Sequence, residues 1–238
     1  MKNNISVAMA TYNGEAFIEE QIESILNNLD VDDELVISDD GSTDKTIDII
    51  KKYMKKDNRI KLLTGPKKGV IKNFENALRN CKGDYIFLSD QDDVWEPIKK
   101  ETVMKYFSNN NKLLVVVHDG VVINENGEKI IESWFEHRNS KKGLINNLIK
   151  NRYLGCCMAF DSKLLKYALP IPENIEMHDW WIGLCAECEG ETKFISEKIF
   201  KYRRHTKNVS SLTHYPLKIM IKNRYNLVIN LIKRRISK

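Results

Sequence analysis

Residues 83–95 read GDYIFLSDQDDVW and join an apolar run to a cluster of carboxylates. The run at Tyr85–Leu88 is short and rich in β-forming side chains, which predicts a strand. Three carboxylates follow within four residues, at Asp90, Asp92 and Asp93. Like charges this close repel one another unless a positive group compensates them. The stretch therefore predicts a strand that ends in an acidic site.

The sequence before this stretch alternates short apolar runs with longer amphipathic segments. The predicted strands are Ile5–Ala10, Glu34–Ser38 and Arg59–Thr64, and the predicted helices are Ala16–Asn28, Thr43–Lys56 and Val70–Asn80. Strands separated by segments of helical periodicity indicate βαβ units and a mostly parallel sheet flanked by helices. Such sheets bind ligands at the carboxyl ends of their strands, and we expect the functional residues at that edge.

The sequence after Asp93 alternates less regularly. Predicted helices are Ile98–Phe107, Leu144–Lys150, Ser162–Ala168, Trp180–Glu189 and Leu217–Ile236, and predicted strands are Leu113–Val117, Met158–Phe160 and one or two within Thr192–Arg204. Glu125-Asn126-Gly127 favours a hairpin turn. We predict one α/β domain over residues 1–212, followed by a basic amphipathic helix within 213–238.

Composition limits the class of protein. Of the 238 residues, 42% are hydrophobic, which excludes disorder as the main state. No apolar run approaches the ~18–20 residues of a membrane span, and the start of the chain does not resemble a secretory signal. The cysteines are odd in number, at Cys81, Cys156, Cys157, Cys185 and Cys188. We therefore expect a reducing, cytoplasmic location, and we expect these cysteines to pack as small apolar residues rather than to bind zinc.

The net charge of +5 is unevenly distributed along the chain. Residues 198–238 contain 12 Lys and Arg and no Asp or Glu, which leaves 26 basic and 33 acidic residues in residues 1–197, a net of −7. A nucleic-acid partner would require a basic surface on the main body of the protein. The acidic body therefore argues against nucleic acid as a partner.

Two polar motifs follow the first and second predicted strands. ATYNG at residues 10–14 can approach a ligand closely, although an ordinary βα turn has the same composition. SDDGSTD at residues 38–44 places acidic groups where a ribose hydroxyl or a base N–H could donate to them. Ser42 or Thr43 could instead cap the next helix. Capping does not explain why Asp39 and Asp40 occur together.

The third motif is the acidic stretch after the fourth predicted strand. Asp90 and Asp92 alternate in an extended chain and can face the same side. Paired carboxylates suit a hard divalent cation, Mg²⁺ or Mn²⁺. The alternative is a solvated acidic loop that caps the helix after Pro97.

Two further motifs lie in the second half of the chain. MHDWW at residues 177–181 opens a helix, where Asp179 could cap the helix, act as a general base beside the tryptophans, or do both. YRRHTKNVSS at residues 202–211 offers basic groups for a diphosphate and a histidine for a metal or phosphate. A basic surface loop is the alternative for this second motif.

In their order along the chain, these motifs resemble family-2 glycosyltransferases with the GT-A (Rossmann-like) fold, over roughly residues 3–211. SDQDDVW, HDWW and YRRHTKN are similar to the bacterial branch often labelled rhamnosyltransferase-like. The resemblance implies an inverting hexosyl- or rhamnosyltransferase of surface-polysaccharide synthesis that uses a UDP- or dTDP-sugar and Mn²⁺ or Mg²⁺. It also implies a nucleotide-binding half at about residues 1–95, an acceptor half at about 96–212 and a saccharide acceptor, which could be lipid-linked.

The resemblance assigns roles to particular residues. Donor-binding residues would be Thr11, Tyr12, Asn13, Asp39, Asp40, Lys72, Asn73, Asp90, Arg203 and Arg204, with one of Asp39 and Asp40 recognising the base. Metal-associated residues would be Asp92, Asp90 and His205. Asp179 would be the catalytic base, and Trp180 and Trp181 would offer flat faces to an acceptor sugar. The chain departs from the branch near Ser210 and Ser211, where a glycine is expected.

Two other functional classes remain open. A nucleotidyltransferase would need a basic, glycine-rich loop after the first strand, and TYNGE contains no Lys or Arg. A degenerate module that only binds a sugar nucleotide would not need Asp90, Asp92 and Asp179. The last helix has an apolar stripe at Leu217, Ile221, Tyr225, Val228 and Ile232, with its basic residues mostly off the stripe. It could lie on an anionic membrane, pack on the core or form a homodimer.

Overall fold

A computed structural model describes residues 3–108, 112–206, 208 and 216–236 of the chain. It has one mixed sheet with the strand order β3-β2-β1-β4-β8-β6-β9-β5, and β7 pairs with the edge of β6. The strands are β1 Ile5–Thr11, β2 Glu34–Asp39, β3 Ile60–Thr64, β4 Tyr85–Ser89, β5 Val94–Trp95, β6 Leu113–Ile123, β7 Lys129–Ile131, β8 Met158–Asp161 and β9 Glu191–Arg203.

The helices lie between these strands and at the end of the chain. They are α1 Ile18–Leu26, α2 Thr46–Met54, α3 Val70–Asn80, α4 Lys99–Ser108, α5 Trp134–Arg138, α6 Leu144–Ile149, α7 Leu165–Ala168, α8 His178–Glu189 and α9 Leu217–Ile236. Short 3₁₀ turns precede β8 and α7. The α/β class and the helical extension predicted from the sequence are confirmed.

The first half of the sheet is parallel, as the sequence predicts. Strands β3, β2, β1 and β4 are neighbours in that order, and each adjacent pair is parallel. Every residue of β1 and β2 is buried, as in a sheet that is covered on both faces. The turns after β1, β2 and β4 therefore meet at one edge, because parallel strands end on the same side.

The second half of the sheet is mixed rather than parallel. Strand β8 is antiparallel to both β4 and β6, and β9 is parallel to β6 but antiparallel to β5. The predicted hairpin forms between β6 and β7, with Gly127 at a φ of 83° in its turn. The sequence did not predict β5, which has two residues and exists only through its pairing with β9. Nor did it predict α5, whose cap Ser133 is held by the Asp119 carboxylate at 2.6 Å.

Three further features bear on the sequence predictions. The five cysteines all lie in the described part of the chain and are free thiols there. Helix α9 has the predicted bounds, and its single fully buried side chain is Leu227. Among the described helices, none has both the length and the apolar character needed to cross a membrane.

Candidate active site

The acceptor positions of the Asp39 carboxylate at the end of β2 are occupied by hydrogen bonds from nearby residues of the same protein. Its Oδ1 accepts from the backbone N–H groups of Gly41 at 3.0 Å and Ser42 at 2.8 Å. Its Oδ2 accepts from the Ser42 hydroxyl at 2.6 Å and the Thr11 hydroxyl at 2.9 Å. Two carboxylate oxygens offer about four acceptor positions, so Asp39 has little capacity left for a ligand. Asp39 thus joins the ends of β1 and β2.

The neighbouring Asp40 carboxylate keeps some acceptor capacity. Each of its oxygens accepts one backbone N–H, from Lys67 and from Gly69, both at 2.7 Å. These bonds hold a turn in which Lys67 has a φ of 57° and Gly69 a φ of 82°. One further acceptor position on each oxygen remains, and the side chain is partly exposed. Of the two aspartates, Asp40 is the better placed to accept from a ligand.

The turn after β1 is fastened to the acidic turn after β4. The Gln91 side-chain amide accepts from Tyr12 N–H at 2.9 Å and donates to the Tyr12 carbonyl at 3.0 Å. Gly14 makes this contact possible, because a Cβ there would lie 2.3 Å from Gln91 Oε1. Asn13 accepts from Thr43 N–H at 2.8 Å. The backbone of the turn is therefore fixed, while the Tyr12 side chain is 56% exposed beside the site.

Lys72 and Asn73 on α3 bond to the protein itself. The Lys72 ammonium donates to Glu75 and to the Ile171 carbonyl, both at 2.8 Å. The Asn73 amide nitrogen donates to the Thr11 carbonyl at 3.1 Å and to the Ser38 carbonyl at 2.8 Å. Asn73 therefore ties α3 to the ends of β1 and β2, and Lys72 ties α3 to the segment before α8.

Asp90 and Asp93 are carboxylates whose charges are poorly compensated. Burial, followed by the charges of Asp92 and Asp179, raises the pKa of Asp90 to about 7. Burial, followed by the charges of Asp92 and Asp90, raises the pKa of Asp93 well above its usual range. Asp93 Oδ1 accepts from Arg203 N–H at 2.8 Å, whereas its Oδ2 is buried and has no hydrogen-bond partner in the described part of the chain.

Asp92 lies against the segment that follows β9. Its Oδ2 is 2.7 Å from His205 Nε2 and accepts from the Asn208 side-chain amide at 3.2 Å. The His205 ring also stacks on Phe17 with centroids 5.0 Å apart. The structure therefore brings together two residues 113 positions apart in the sequence that were expected to share a metal.

The donor set of this cluster fits a hard divalent cation. One ligand atom from each of Asp90, Asp93 and Cys156 lies within 4.8 Å of the others. Burial raises the pKa of the Cys156 thiol, which therefore stays protonated and is a poor ligand for such a cation. The unpartnered Asp93 oxygen and the mutual repulsion of the carboxylates are both relieved by a positive charge. Carboxylate oxygens are ligands that suit Mn²⁺ or Mg²⁺.

Asp179 lies in the first turn of α8, after the N-cap residue Met177. Its Oδ1 accepts from Trp180 N–H at 2.6 Å and from the Asn151 amide at 3.4 Å. Burial raises the pKa of the carboxyl to about 6 despite these hydrogen bonds. The side chain is not the N-cap, and its raised pKa gives it the basicity that a general base needs near neutral pH. Asp179 and Asp90 are close enough for their charges to interact.

The expectation that Trp180 and Trp181 offer flat faces to an acceptor is wrong. Their exposed fractions are 1% and 0%. Each indole N–H donates to a backbone carbonyl, Trp180 to Asn147 at 2.6 Å and Trp181 to Ala168 at 2.8 Å. The helix is apolar around most of its circumference, so both rings are core residues that fix α8.

The basic residues at the end of β9 have different surroundings. The Arg203 guanidinium is buried and donates to the Glu20 carboxylate at 2.6 Å and to the carbonyls of Asp92 and Glu125. Its hydrogen bonds therefore hold the acidic turn in place rather than leaving it directed at a ligand. Arg204 is partly exposed and donates to the Tyr202 hydroxyl at 3.1 Å. Lys207, Ser210 and Ser211 lie outside the described residues.

Some residues of the site were not predicted from the sequence. They are Gln91, Lys99, Asn151 and Cys156, whereas Asp93 is one of the three carboxylates of the acidic site that the sequence predicts. The Lys99 side chain is fully buried between the rings of Trp95 and Phe200, and its ammonium donates to the Cys156 carbonyl at 2.8 Å. Burial lowers the pKa of Lys99 to about 8. A lysine four residues after a tryptophan and two residues after Pro97 carries no sequence signal for burial.

Comparison with known proteins identifies the family. The model of the family described as glycosyl transferase family 2 matches residues 6–168. The O-antigen biosynthesis glycosyltransferase WbnJ of Escherichia coli is 30% identical over 223 residues, covering 89% of this chain and 84% of WbnJ. The dTDP-rhamnosyl transferase RfbG of Shigella flexneri is 41% identical over 111 residues, covering 43% of this chain and 38% of RfbG.

Comparison with a solved structure shows the fold of the chain. The structure of S. aureus TarS residues 1–349 in complex with UDP-GlcNAc superposes with a TM-score of 0.70 at 19% identity, covering 98% of this chain and 73% of that one. This likeness shows the GT-A fold. The chain spans 60% of the length of the first curated relatives that it matches. With the family model, the relatives and the fold in agreement, the chain belongs to glycosyl transferase family 2 and carries the glycosyltransferase domain of that family.

Proposed function

We propose that the chain is an inverting, metal-dependent glycosyltransferase. It would move a hexosyl or rhamnosyl group from a UDP- or dTDP-sugar to a saccharide acceptor during synthesis of bacterial surface polysaccharide. The observation that carries the proposal is the convergence of Asp179, with its raised pKa, and the acidic turn of Asp90, Asp92 and Asp93 at one edge of the sheet. The printed functions of WbnJ and RfbG, and the ligand of TarS, support the reaction class and the donor class.

Inversion follows from a single displacement. The acceptor oxygen attacks the anomeric carbon while the bond from that carbon to the diphosphate oxygen breaks. Asp179 takes the proton of the acceptor hydroxyl, which contributes roughly 10²–10⁴-fold to the rate. Asn151 and the Trp180 N–H hold the carboxylate of Asp179 in one orientation.

The proposed donor site involves the turns after β1 and β2 and the end of β9. Asp40 has acceptor positions for a base N–H, and the exposed Tyr12 ring can lie against the base. Arg204 is a partly exposed cation at the end of β9 and would contact the diphosphate of the donor. Asp92, Asp90, Asp93 and His205 would hold Mn²⁺ or Mg²⁺, which would supply positive charge against the leaving diphosphate.

The site of action is proposed as the cytoplasm. The five cysteines are free thiols in the described structure, which agrees with a reducing compartment. The division into a donor half at about residues 1–95 and an acceptor half at about 96–212 is retained as part of the proposal, because Asp40 lies in the first and Asp179 in the second.

A degenerate binding module is the second candidate function. It is favoured by the internal bonds of Lys72 and Arg203, which remove two of the expected donor-binding cations from the site. It would bind the sugar nucleotide but would not need the raised pKa of Asp179. A nucleotidyltransferase is disfavoured because the turn around Tyr12 has no cation for a triphosphate.

The deciding experiment is a thermal-shift screen of the full chain against UDP-, dTDP- and GDP-sugars, with and without Mn²⁺. We expect a UDP- or dTDP-sugar to raise the melting temperature only when Mn²⁺ is present, because ligand binding to the folded state stabilises it. The hit is then incubated with the protein, and release of the nucleoside diphosphate is measured. Binding without any release supports the module, and no binding by any donor contradicts both candidates.

A further inference from the structure

Helix α9 docks on the domain through its polar face. Asn223 donates to Glu176 at 2.6 Å, Asn226 donates to the Asn174 carbonyl at 2.9 Å, and Arg234 donates to the carbonyls of Leu169 and Pro170 at 2.6 Å. Arg224 donates to the Ile149 carbonyl at 3.0 and 3.2 Å and lies 5.0 Å from the Trp180 ring. Leu227 is the fully buried side chain of this face.

The apolar face of α9 points away from the domain. Its exposed members are Leu217, Ile221, Tyr225, Val228, Ile232 and Ile236, with exposed fractions from 38% to 78%. Their spacing of three or four residues puts them on one stripe of the helix, which we call the outer stripe. A helix that packs on its own core normally buries such a stripe. In α9 the docked face is mostly polar around Leu227 and Leu231, and the outer stripe is exposed.

The charges beside the outer stripe select its partner. At about 100° per residue, Lys218 and Lys222 flank one side of the stripe and Arg235 flanks the other. All three side chains are exposed. No Asp or Glu occurs anywhere in residues 198–238, so α9 itself adds only positive charge beside its apolar stripe. An apolar stripe between cationic flanks is complementary to an anionic lipid surface.

We propose that α9 lies along an anionic lipid bilayer with the outer stripe in the interface and the flanking cations at the head groups. A second copy of this chain is a poorer partner, because two α9 helices paired through the stripe would bring Lys and Arg flanks together without any carboxylate to compensate them. The inference is independent of the proposed function, because it concerns lipid binding in the absence of donor and acceptor.

The test is co-sedimentation of the full chain with vesicles of phosphatidylcholine alone and of phosphatidylcholine mixed with phosphatidylglycerol. We expect binding to the mixed vesicles, weakened by salt, and little binding to phosphatidylcholine alone. The triple variant Ile221→Ser, Tyr225→Ser, Val228→Ser should lower vesicle partitioning by about tenfold or more. Replacing Lys218, Lys222 and Arg235 by Gln should lower it by roughly fivefold per residue.

The matched control replaces three exposed aliphatic side chains of the domain, in the variant Val31→Ser, Ile98→Ser, Ile130→Ser. The control positions are 55–79% exposed and the positions of the stripe variant 38–64% exposed, so both triple variants should keep the wild-type melting temperature. The control should bind vesicles as the wild type does. Equal binding by the stripe variant and the wild type would overturn the proposal. A wild-type dimer in light scattering that the stripe variant dissociates, without vesicle binding, would overturn it in favour of a second copy.

Discussion

Two carboxylate motifs lie at the same edge of the sheet, after β2 and β4 on either side of β1, and differ in how their charges are satisfied. The loop of residues 39–46 begins with Asp39, whose oxygens accept four hydrogen bonds from the chain itself. In the acidic cluster, which we define as Asp90, Asp92, Asp93 and Asp179, burial raises the pKa of Asp90, Asp93 and Asp179. One oxygen of Asp93 has no hydrogen-bond partner in the described residues. Asp39 in the first motif serves to hold the chain together, whereas the carboxylates of the second motif would be stabilised by a positive charge.

The two motifs differ in how many hydrogen-bond donors lie near their carboxylates. A turn that contains Gly41, Ser42 and Thr46 provides backbone N–H and hydroxyl groups within reach of the aspartates beside it. The acidic cluster follows an apolar strand and is backed by core side chains, so that burial dominates the pKa shifts. The ammonium of the buried Lys99 bonds to a carbonyl rather than to a carboxylate. A bound cation would therefore relieve the repulsion between the carboxylates of the cluster.

The largest expected effect is that of Asp179→Asn. Transfer should fall by about 10²–10⁴-fold, because the amide cannot take the acceptor proton. Donor binding, measured by thermal shift, should stay nearly unchanged. The melting temperature at alkaline pH should not fall, because the folded state holds this carboxylate's charge less well than the unfolded state does. Asp48→Asn on exposed α2 is the control, and wild-type turnover in Asp179→Asn would rule out its role as the base.

The next effect separates the two motifs directly. Asp92→Asn should weaken Mn²⁺ binding by about tenfold or more with little change in stability, because it removes a ligand but no structural hydrogen bond of the fold's core. Asp39→Asn should leave Mn²⁺ binding intact and lower the free energy of unfolding by about 1–2 kcal/mol, because two donors lose their acceptor. Titration of Mn²⁺ and denaturant unfolding measure the two quantities. If Asp39→Asn weakened Mn²⁺ binding and Asp92→Asn lowered the free energy of unfolding instead, the assigned roles of the two motifs would be wrong.

The smallest of the three effects is the pH dependence of transfer. The rate should rise about tenfold per pH unit below pH 6 and level off above it, because only the ionised form of Asp179 accepts a proton. Stability has the opposite sign for this group, since a carboxyl with a raised pKa stabilises the folded state less as the pH rises through that value. Single-turnover rates with saturating Mn²⁺ across this range provide the measurement. A rate that does not change around pH 6 would contradict the assignment.

Most of the fold could be predicted from the periodicity of the chain. Helix α3 and helix α9 have the predicted bounds, because their apolar spacing and ends are local signals. Strand β5 and helix α5 could not be predicted, because both depend on distant partners, β9 and Asp119. Tryptophans at the start of α8 fit both a sugar platform and a buried core, and only the packing around them decided between the two.

The sequence predicted which residues belong to the site better than it predicted which partners they contact. Asp90, Asp92, Asp179 and His205 were selected from the sequence, and the structure brings His205 to 2.7 Å from Asp92. Arg203 and Lys72 were selected as cations for the donor, yet each is engaged by a carboxylate of its own chain. A sequence records that a cation is present, whereas its partner depends on which elements the fold packs beside it.

The sequence by itself determined the family, the parallel first half of the sheet and the edge at which the acidic residues gather, because each of these follows from local pattern and motif order. The tertiary structure decided which carboxylates have hydrogen-bond partners, that Trp180 and Trp181 are both buried, and which face of α9 is exposed. These depend on hydrogen-bond partners and burial supplied by residues far away in the chain. The outer stripe of α9 is visible in the sequence, but only the docking of its polar face shows that the stripe is left for another surface.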